Sequence, residues 1–359
     1  MGSAEFRFLV DCCRRSFADA AFEDCLPPER IDWHRFLRLA RFHRVEGLAW
    51  NALSANPQAL PEPVRSALAQ AASRIAAQNL QAAAACRALL DTFEAANVPL
   101  LFLKGLTLGA LAYGNPAIKA AIDIDLLIDP ADLSHAAKLM RRCGYRLLVP
   151  ADSEPDRILH KWHRGWKESV WAKDSPSLQI DLHTRTADNR RLIPVIDVHS
   201  PAQRVSVGSG VELPTLADEP LFAYLAVHGA SSAWFRLKWI ADFAALLHGR
   251  PAANIESLYR TSQSLGAGRS AGQALFLADA LFGSLEEVPT LRDELARDPP
   301  TVRLFRATEQ LVAGEPREPT ERIGGTFTIH WTQLLLLPGS AYKLSELSRQ
   351  ARRLLTRIA

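Results

Sequence analysis

The stretch LLFLKGLTLGALAYGNPAIKAAIDIDLLI, residues 100–128, decides the fold. Its first apolar run is short and ends at Lys104-Gly105, which is typical of a buried strand, and a helix is predicted from about Leu106 to Tyr113. Gly114-Asn115-Pro116 breaks that helix, and residues 121–128 form a second apolar run. The stretch therefore predicts a strand, a helix and a second strand.

Similar elements follow in the next part of the chain. Residues 130–143 have helical spacing and end at Gly144, and residues 145–149 read as a third strand. Residues 166–173 and 177–184, joined by Asp174-Ser175-Pro176, have the pattern of a β-hairpin. These elements together predict a small mixed β-sheet.

Helical patterns flank this region on both sides. Apolar positions recur at helical spacing from residue 5 to about 95, the last part being one long Ala-rich helix over 64–96, and the helical period returns after Thr215. We therefore expect an α+β fold with an N-terminal helical region (1–96), a sheet core with helices (97–190) and a mostly helical C-terminal domain (191–359).

Composition narrows the function classes. The 359 residues have 48% hydrophobic content, which predicts a globular protein. The net charge is only +3, from 42 basic and 39 acidic side chains, so the chain as a whole has no strong electrostatic attraction for nucleic acid. The five cysteines, at positions 12, 13, 25, 86 and 143, form no CxxC pair, which argues against a disulfide framework or a zinc site. With no apolar run of membrane-spanning length and no export signal, we expect a cytoplasmic protein.

Two aspartates in the second apolar run are the main candidates for chemistry. Side chains two residues apart on a strand point to the same face, so Asp123 and Asp125 are expected to project together. Like charges at close range resist joint ionisation unless a cation neutralises them. Mg²⁺ is the expected cation, with Mn²⁺ as the alternative, because it takes hard oxygen ligands and combines one or two carboxylates with substrate phosphates.

A third carboxylate would complete such a site. Alternation in residues 178–183 places Asp181 and His183 on one face of the hairpin strand, and Asp181 is the candidate metal ligand. The competing interpretation is that all three aspartates only cap turns or face solvent on a half-exposed sheet. The turn at Lys104-Gly105 favours the metal site, since a glycine between a buried strand and a helix lets backbone N–H groups approach a phosphate.

Residues 100–148 resemble the bacterial family of uncharacterised nucleotidyltransferases, which is part of the polymerase-β-type superfamily. The similarity rests on Leu103-Lys104-Gly105, on the basic Lys119, on Asp123-Ile124-Asp125-Leu126-Leu127-Ile128 and on Gly144-Tyr145, with Asp181-Leu182-His183 as the third-carboxylate strand. Segments around Asp32-Trp33, His228 and Leu237-Lys238-Trp239-Ile240-Ala241-Asp242 resemble the family's helical flanks.

The resemblance implies metal-dependent transfer of an NMP from an NTP to an acceptor that it does not identify. It implies metal binding by Asp123, Asp125 and Asp181, and nucleotide contacts by Lys104, Gly105, Lys119 and Lys238. Two positions depart from the family pattern. Lys119 stands where arginine is usual, which would weaken bidentate phosphate recognition, and Ile122 replaces a small or polar residue.

Other polar residues are candidates for acceptor-side or auxiliary roles. His163 and Trp166 belong to an aromatic and imidazole cluster suited to stacking on a base, although a satellite core is the equal alternative. His183 could orient a water, whereas His228 and Asp242 lie on helical segments where a packing role competes. The partners expected are an NTP and an acceptor that is a small molecule, peptide or protein, with RNA less favoured. The alternative function is a non-catalytic protein that binds a nucleotide or a partner.

Overall fold

The chain forms two compact units. The computed structural model describes residues 2–18, 27–120, 123–151, 155–174, 177–321 and 324–358. One unit combines Met1–Ile75 with Leu225–Ala359, and the other is Ala76–Tyr224. The structure is 60% helical with a mixed five-stranded sheet, which confirms the α+β class. The three-region division expected from the sequence stays a prediction.

Among the residues described before the first strand there are four α-helices: α1 (Ala4–Arg15), α2 (Trp33–His43), α3 (Glu46–Leu53) and α4 (Glu62–Ala95). Side-chain caps define two of their starts, because Ser3 accepts from the N–H of Phe6 and Asp32 accepts from the N–H of Arg35. Helix α4 has 34 residues, which confirms the predicted Ala-rich helix.

The second unit holds the five-stranded sheet. Its strands are β1 (Leu100–Phe102), β2 (Asp123–Ile128), β3 (Arg146–Val149), β4 (Glu168–Asp174) and β5 (Ser177–His183), and its helices are α5 (Leu106–Tyr113), α6 (Leu133–Arg142) and α7 (Pro155–Gly165). The spatial order is β1-β2-β5-β4-β3, in which β2 and β5 are parallel and every other pair is antiparallel. A separate hairpin consists of β6 (Ala202–Ser206) and β7 (Glu212–Leu216).

The sheet has one apolar face and one polar face. Ile124 and Leu126 of β2 pack with Ile180 and Leu182 of β5 in a buried cluster that also contains Phe93 of α4. Burial of each leucine contributes about 1.5–3 kcal/mol, so this face fixes which side chains of β2 and β5 point the other way. Ile122, one of the two residues that depart from the family pattern, lies outside the described residues, as does Cys25.

The predicted elements of the sheet are present with small shifts at their ends. The hairpin predicted over 166–184 is β4 and β5, and the helix predicted over 130–143 is α6 preceded by a 3₁₀ turn at Pro130–Asp132. Two features were not predicted, namely helix α7 and the β6–β7 hairpin.

In the part of the chain that the structure describes after β7, eight α-helices follow: α8 (Asp218–Ser231), α9 (Leu237–Leu247), α10 (Ala252–Ser264), α11 (Gly268–Phe282), α12 (Pro289–Arg297), α13 (Pro299–Val312), α14 (Phe327–Gln333) and α15 (Ser340–Ile358). The apolar side chains Ile240, Leu275 and Leu304 are buried in this part of the chain. Within the described residues, none of the helices has both the length and the apolar character needed to cross a membrane.

Candidate metal centre

The pairing of β2 with β5 brings two of the three predicted carboxylates, Asp125 and Asp181, side by side. In their parallel register Asp125 lies directly opposite Asp181, and Asp123 lies opposite Gln179. Since residues two apart on a strand share a face, the three aspartates lie on the polar face of the sheet. Asp125 is only 3% exposed, whereas Asp123 and Asp181 are partly exposed.

Asp125 is held by two donors. Its Oδ2 lies 2.6 Å from Nζ of Lys104, and its Oδ1 lies 3.0 Å from Nε2 of His183. Burial alone would raise the pKa of this carboxyl, but Lys104 and His183 outweigh it and hold the pKa well below its usual range. Asp125 is therefore a buried carboxylate that keeps its negative charge.

Lys104 is the counterpart of that charge. Burial opposes its protonated form, yet the nearby Asp125 raises the pKa of the ammonium group above its usual range. The backbone N–H of Leu103 donates to the carbonyl of Asp125 at 3.1 Å and so fixes the chain just before the lysine. The structure thus places the predicted nucleotide-binding lysine at the carboxylates.

Asp181 behaves differently from Asp125. Burial raises the pKa of its carboxyl to about 6, and the negative charges of Asp125 and of Glu168 add to the effect. Gln179 donates to its Oδ1 from Nε2 at 3.1 Å. The negative charges around Asp181 are therefore not fully balanced by the positively charged side chains of the site.

The donor set fits a divalent cation. One ligand atom each from Asp125, Asp181 and His183 lies within 4.8 Å of the others, which is the spacing of groups that could share an ion. Carboxylate oxygens are hard ligands, and a cation would offset both the burial and the neighbouring negative charges that raise the pKa of Asp181. His183 belongs to this group and also contacts Asp125 through Nε2, whereas Asp123 does not belong to it.

Sequence reasoning missed two charged residues beside His183. Oε2 of Glu168 lies 3.3 Å from Nδ1 of His183 and 2.6 Å from Nζ of Lys167. Burial would raise the pKa of Glu168, but Lys167 and His183 lower it to about 2. Glu168 lies opposite His183 in the antiparallel register of β4 and β5. The sequence of β4 gives no clear signal for the face of Glu168, because Val170 and Ala172 share that face, and only the strand register places Glu168 at this site.

Tyr224 is the other residue that the sequence did not indicate. It is buried near the end of the second unit, and its hydroxyl interacts electrostatically with Lys104 and Asp125. Burial raises the pKa of the phenol, while Lys104 acts in the opposite direction. Tyr224 follows β5 by some forty positions in the sequence, and no local pattern connects the two.

The turn after β1 has the conformation that its glycine allows. Gly105 has φ +72° and ψ −117° at the start of α5, a region in which a Cβ atom is strongly disfavoured. Thr107 donates from Oγ1 to the carbonyl of Lys104 at 3.3 Å. The structure thus confirms the predicted sequence of strand, Lys-Gly turn and helix.

Lys119 lies in the loop before β2. Asn79 donates from Nδ2 to its backbone carbonyl at 2.7 Å and to that of Pro116 at 2.9 Å. These two bonds tie the loop to helix α4. The side chain of Lys119 approaches the backbone of Gly109 closely enough to meet a Cβ added there. The backbone of Lys119 is thus held against α4, and the predicted contact of its side chain with a nucleotide stays a prediction.

The aromatic and imidazole cluster belongs to helix α7 and its C-terminal end. His163 is buried, and its Nδ1 lies 2.9 Å from Oγ1 of Thr184, the residue after β5. Burial, followed by the charge of Arg185, lowers the pKa of His163 to about 3. Trp162 stacks on Trp166 with ring centroids 5.0 Å apart and donates from Nε1 to the carbonyl of Glu168. The cluster therefore packs α7 against the strands that carry Glu168 and His183.

Three predicted residues lie in the other compact unit, on α8 and α9. His228 makes an edge contact with Trp239, and Nζ of Lys238 lies 5.8 Å from the centroid of the same ring. Asp242 is buried. The roles expected for these three residues stay predictions.

Comparison of the chain with known protein families gives a match whose range includes the sheet. The model of the uncharacterised nucleotidyltransferase family matches residues 29–283, a range that contains all five strands of the sheet and the carboxylates. No curated protein and no solved structure matches the chain significantly.

Proposed function

The chain belongs to the uncharacterised nucleotidyltransferase family, and from that membership we propose that it transfers an NMP from an NTP to an acceptor at Asp123, Asp125 and Asp181. The observation that carries the proposal is the direct opposition of Asp125 and Asp181 on the polar face, with Lys104 at 2.6 Å. The acceptor class we favour is a small molecule, peptide or protein, because a net charge of +3 offers little general attraction for RNA.

The three aspartates would hold Mg²⁺, or Mn²⁺ in its place. When bound, such an ion supplies charge neutralisation on phosphate oxygens and lowers the pKa of a nearby hydroxyl. The low pKa of Asp125 keeps one ligand ionised at every physiological pH, and the elevated pKa of Asp181 makes the second ligand available near neutrality. The opposite pKa shifts of Asp125 and Asp181 support a metal centre whose carboxylate ligands are all ionised only near neutral pH.

Lys104 and Gly105 would bind the phosphates. The ammonium group of Lys104, which contacts Asp125, would exchange this contact for one with a phosphate oxygen when a nucleotide binds. Gly105 lacks a Cβ atom, so the first N–H groups of α5 would be open to the same anion. Lys119 and Lys238 are proposed as additional triphosphate contacts.

The remaining polar residues act as supports in this proposal. Glu168 contacts His183, and His183 donates to Asp125, so the orientation of the buried carboxylate depends on both. We propose acceptor-side or auxiliary roles for His163, Trp166, His228 and Asp242. Of these, His163 is the one whose contact with Thr184 connects it to the strand of Asp181 and His183.

Nucleotide binding with and without metal tests the proposal. Titration calorimetry with each NTP should show binding that requires Mg²⁺ or Mn²⁺ in the wild-type protein. Asp125→Asn and Asp181→Asn should each weaken it at least about tenfold, because each removes a ligand charge. Asp174→Asn is the matched control, since Asp174 is an exposed aspartate of the same sheet that pairs with Arg146. Metal-dependent binding that survives Asp125→Asn unchanged would contradict the site.

A non-catalytic nucleotide-binding or partner-binding protein is the second candidate. The observation in its favour is that both oxygens of Asp125 already have cationic or hydrogen-bonding contacts, from Lys104 and His183. Release of pyrophosphate from an NTP in the presence of acceptor mixtures distinguishes the two functions. Tight, metal-dependent NTP binding with no pyrophosphate release from any acceptor class would favour the second.

A further inference from the structure

Helix α15 packs on its own unit through its polar side. Tyr342 donates from its hydroxyl to the carbonyl of Gln333 at 2.6 Å, and Gln350 donates from Nε2 to the carbonyl of His330 at 3.0 Å. Glu346 is buried and forms an ion pair with Arg349. These contacts are the reverse of the usual arrangement, in which a surface helix turns its apolar stripe to the core.

The apolar side of α15 faces solvent. Leu344 is 66% exposed, Leu347 is 50% exposed and Leu354 is 58% exposed. Together with the exposed Ala351, these residues follow one another at spacings of three, four and three positions, so they form a single stripe roughly 15 Å long. An exposed stripe of this kind is typical of a docking surface.

The charges of α15 limit what can cover the stripe. Its sequence, SAYKLSELSRQARRLLTRI, has five basic residues and one acidic residue, and the acidic residue is the buried Glu346. Lys343 and Arg352 are exposed, and helical geometry places them on opposite flanks of the leucines. A second copy of α15 would bring like charges together, whereas an anionic surface would meet apolar and basic groups at once.

We propose that α15 lies on an anionic lipid surface, with Leu344, Leu347 and Leu354 in the acyl boundary and Lys343 and Arg352 at the headgroups. A helix with a leucine stripe and basic flanks binds at the interface and does not span the bilayer. Phe327 and Trp331 of the adjacent α14 are also exposed, and aromatic side chains favour the headgroup region. The proposal is independent of the nucleotidyl-transfer chemistry and would make the protein a reversible, peripheral membrane binder.

Vesicle co-sedimentation of the full chain tests this proposal. We expect binding to vesicles of phosphatidylglycerol and phosphatidylcholine, and little binding to pure phosphatidylcholine. Leu344→Gln with Leu347→Gln should lower the partition coefficient at least about tenfold, because two apolar side chains no longer enter the acyl boundary. Lys343→Gln with Arg352→Gln should lower binding to anionic vesicles only, and added salt should do the same to the wild type.

Leu80→Gln is the matched control, since Leu80 is an equally exposed leucine, at 66%, on helix α4. It should bind vesicles like the wild type, and unchanged thermal melting should show that each variant is folded. Equal vesicle binding by the Leu344/Leu347 variant would overturn the proposal. The proposal would also be overturned if the folded wild type did not bind anionic vesicles. If the wild type instead formed a dimer that Leu344→Gln with Leu347→Gln dissociates, the stripe would be a contact between two copies of the chain.

Discussion

At the scale of single residues, the buried charge of Asp125 determines what the site tolerates. A carboxylate that is 3% exposed persists in a protein interior only with partners, and here Lys104 and His183 provide them. Removal of one partner leaves a charge without compensation, which costs more than the pair itself contributes to stability. The site is therefore sensitive to substitutions that change charge without changing shape.

Lys104→Met should destabilise the metal-free protein by about 3 kcal/mol, because it leaves Asp125 buried without its cation. Urea denaturation near neutral pH measures the change. The double variant Lys104→Met with Asp125→Asn should recover part of the loss, since the unpaired charge is then absent. A double variant as unstable as the sum of the two single variants would show that the ion pair has no such role.

His163 gives the folded protein a dependence on pH. Its pKa is about 3 in the fold and 6.5 ordinarily, so the unfolded chain binds more protons between these values. The stability that depends on neutral His163 is fully present above the pKa of histidine in the unfolded chain, and it is lost as the pH falls toward 3. From about pH 7.5 to about pH 5 the wild type should lose about 2 kcal/mol more than His163→Asn does. Denaturation curves at the two pH values measure this difference.

The control for that measurement is His160→Asn, because His160 is exposed on the same helix. It should keep the pH dependence of the wild type. If His163→Asn and the wild type lose the same stability on acidification, His163 is protonated in the fold and its burial does not exclude the charge.

Alternation along a strand was enough to predict part of the site. Asp123, Asp125 and Asp181 share a face because Ile124, Leu126 and Ile180 are apolar, which is visible in the sequence. Glu168 could not be placed in the same way, since its neighbour His183 is fifteen positions away and is set by the pairing of two strands. Local patterns predict faces, whereas contacts between strands depend on register.

At the scale of elements, the turn that joins β1 to α5 depends on one glycine. Gly105→Ala should destabilise the protein by about 3 kcal/mol, because φ +72° with ψ −117° is open almost only to glycine. The control is Gly114→Ala at the other end of α5, where φ +63° and ψ 5° are left-handed helical and no atom lies within 4 Å of an added Cβ. This change should cost about 1 kcal/mol.

Equilibrium denaturation of the two glycine variants compares these costs. Equal costs would mean that the turn relaxes into an ordinary conformation when Gly105 is replaced. The proposed phosphate contact would then have no conformational requirement for glycine.

Elements with strong local signals were predicted and those with mixed signals were not. Helix α5 was predicted at Leu106 to Tyr113 because Gly105 and Gly114 delimit an apolar run. Helix α7 was missed, since its imidazole and indole side chains suggested a binding cluster and concealed the helical spacing of Leu159 and His163. The β6–β7 hairpin was missed although Gly208-Ser209-Gly210 marks its turn, because polar residues interrupt both strands.

At the scale of the whole molecule, the two compact units have separate apolar cores. Leu126 is buried in the unit Ala76–Tyr224, and Leu275 is buried in the unit that contains Leu225–Ala359. Each leucine-to-alanine change should cost about 2–5 kcal/mol. Hydrogen exchange measured by mass spectrometry should show faster exchange mainly in the unit that carries the substitution.

The reciprocal variant is the control for each experiment. Leu126→Ala should affect peptides of β2 and β5, and Leu275→Ala should affect peptides of α9 and α11. Uniform acceleration across both units by either variant would show that the chain unfolds as one cooperative body.

The contact between Lys104 and Asp125 means that the chain supplies its own counter-ion. We therefore expect that folding does not require a metal ion and that a chelator leaves the melting temperature unchanged. In the proposed function, loading the centre would be an exchange, in which a dication takes the place of the Lys104 ammonium group at Asp125 and the ammonium group needs a new anionic partner. A triphosphate is such a partner, so metal and nucleotide should bind cooperatively, each raising the affinity for the other by the same factor.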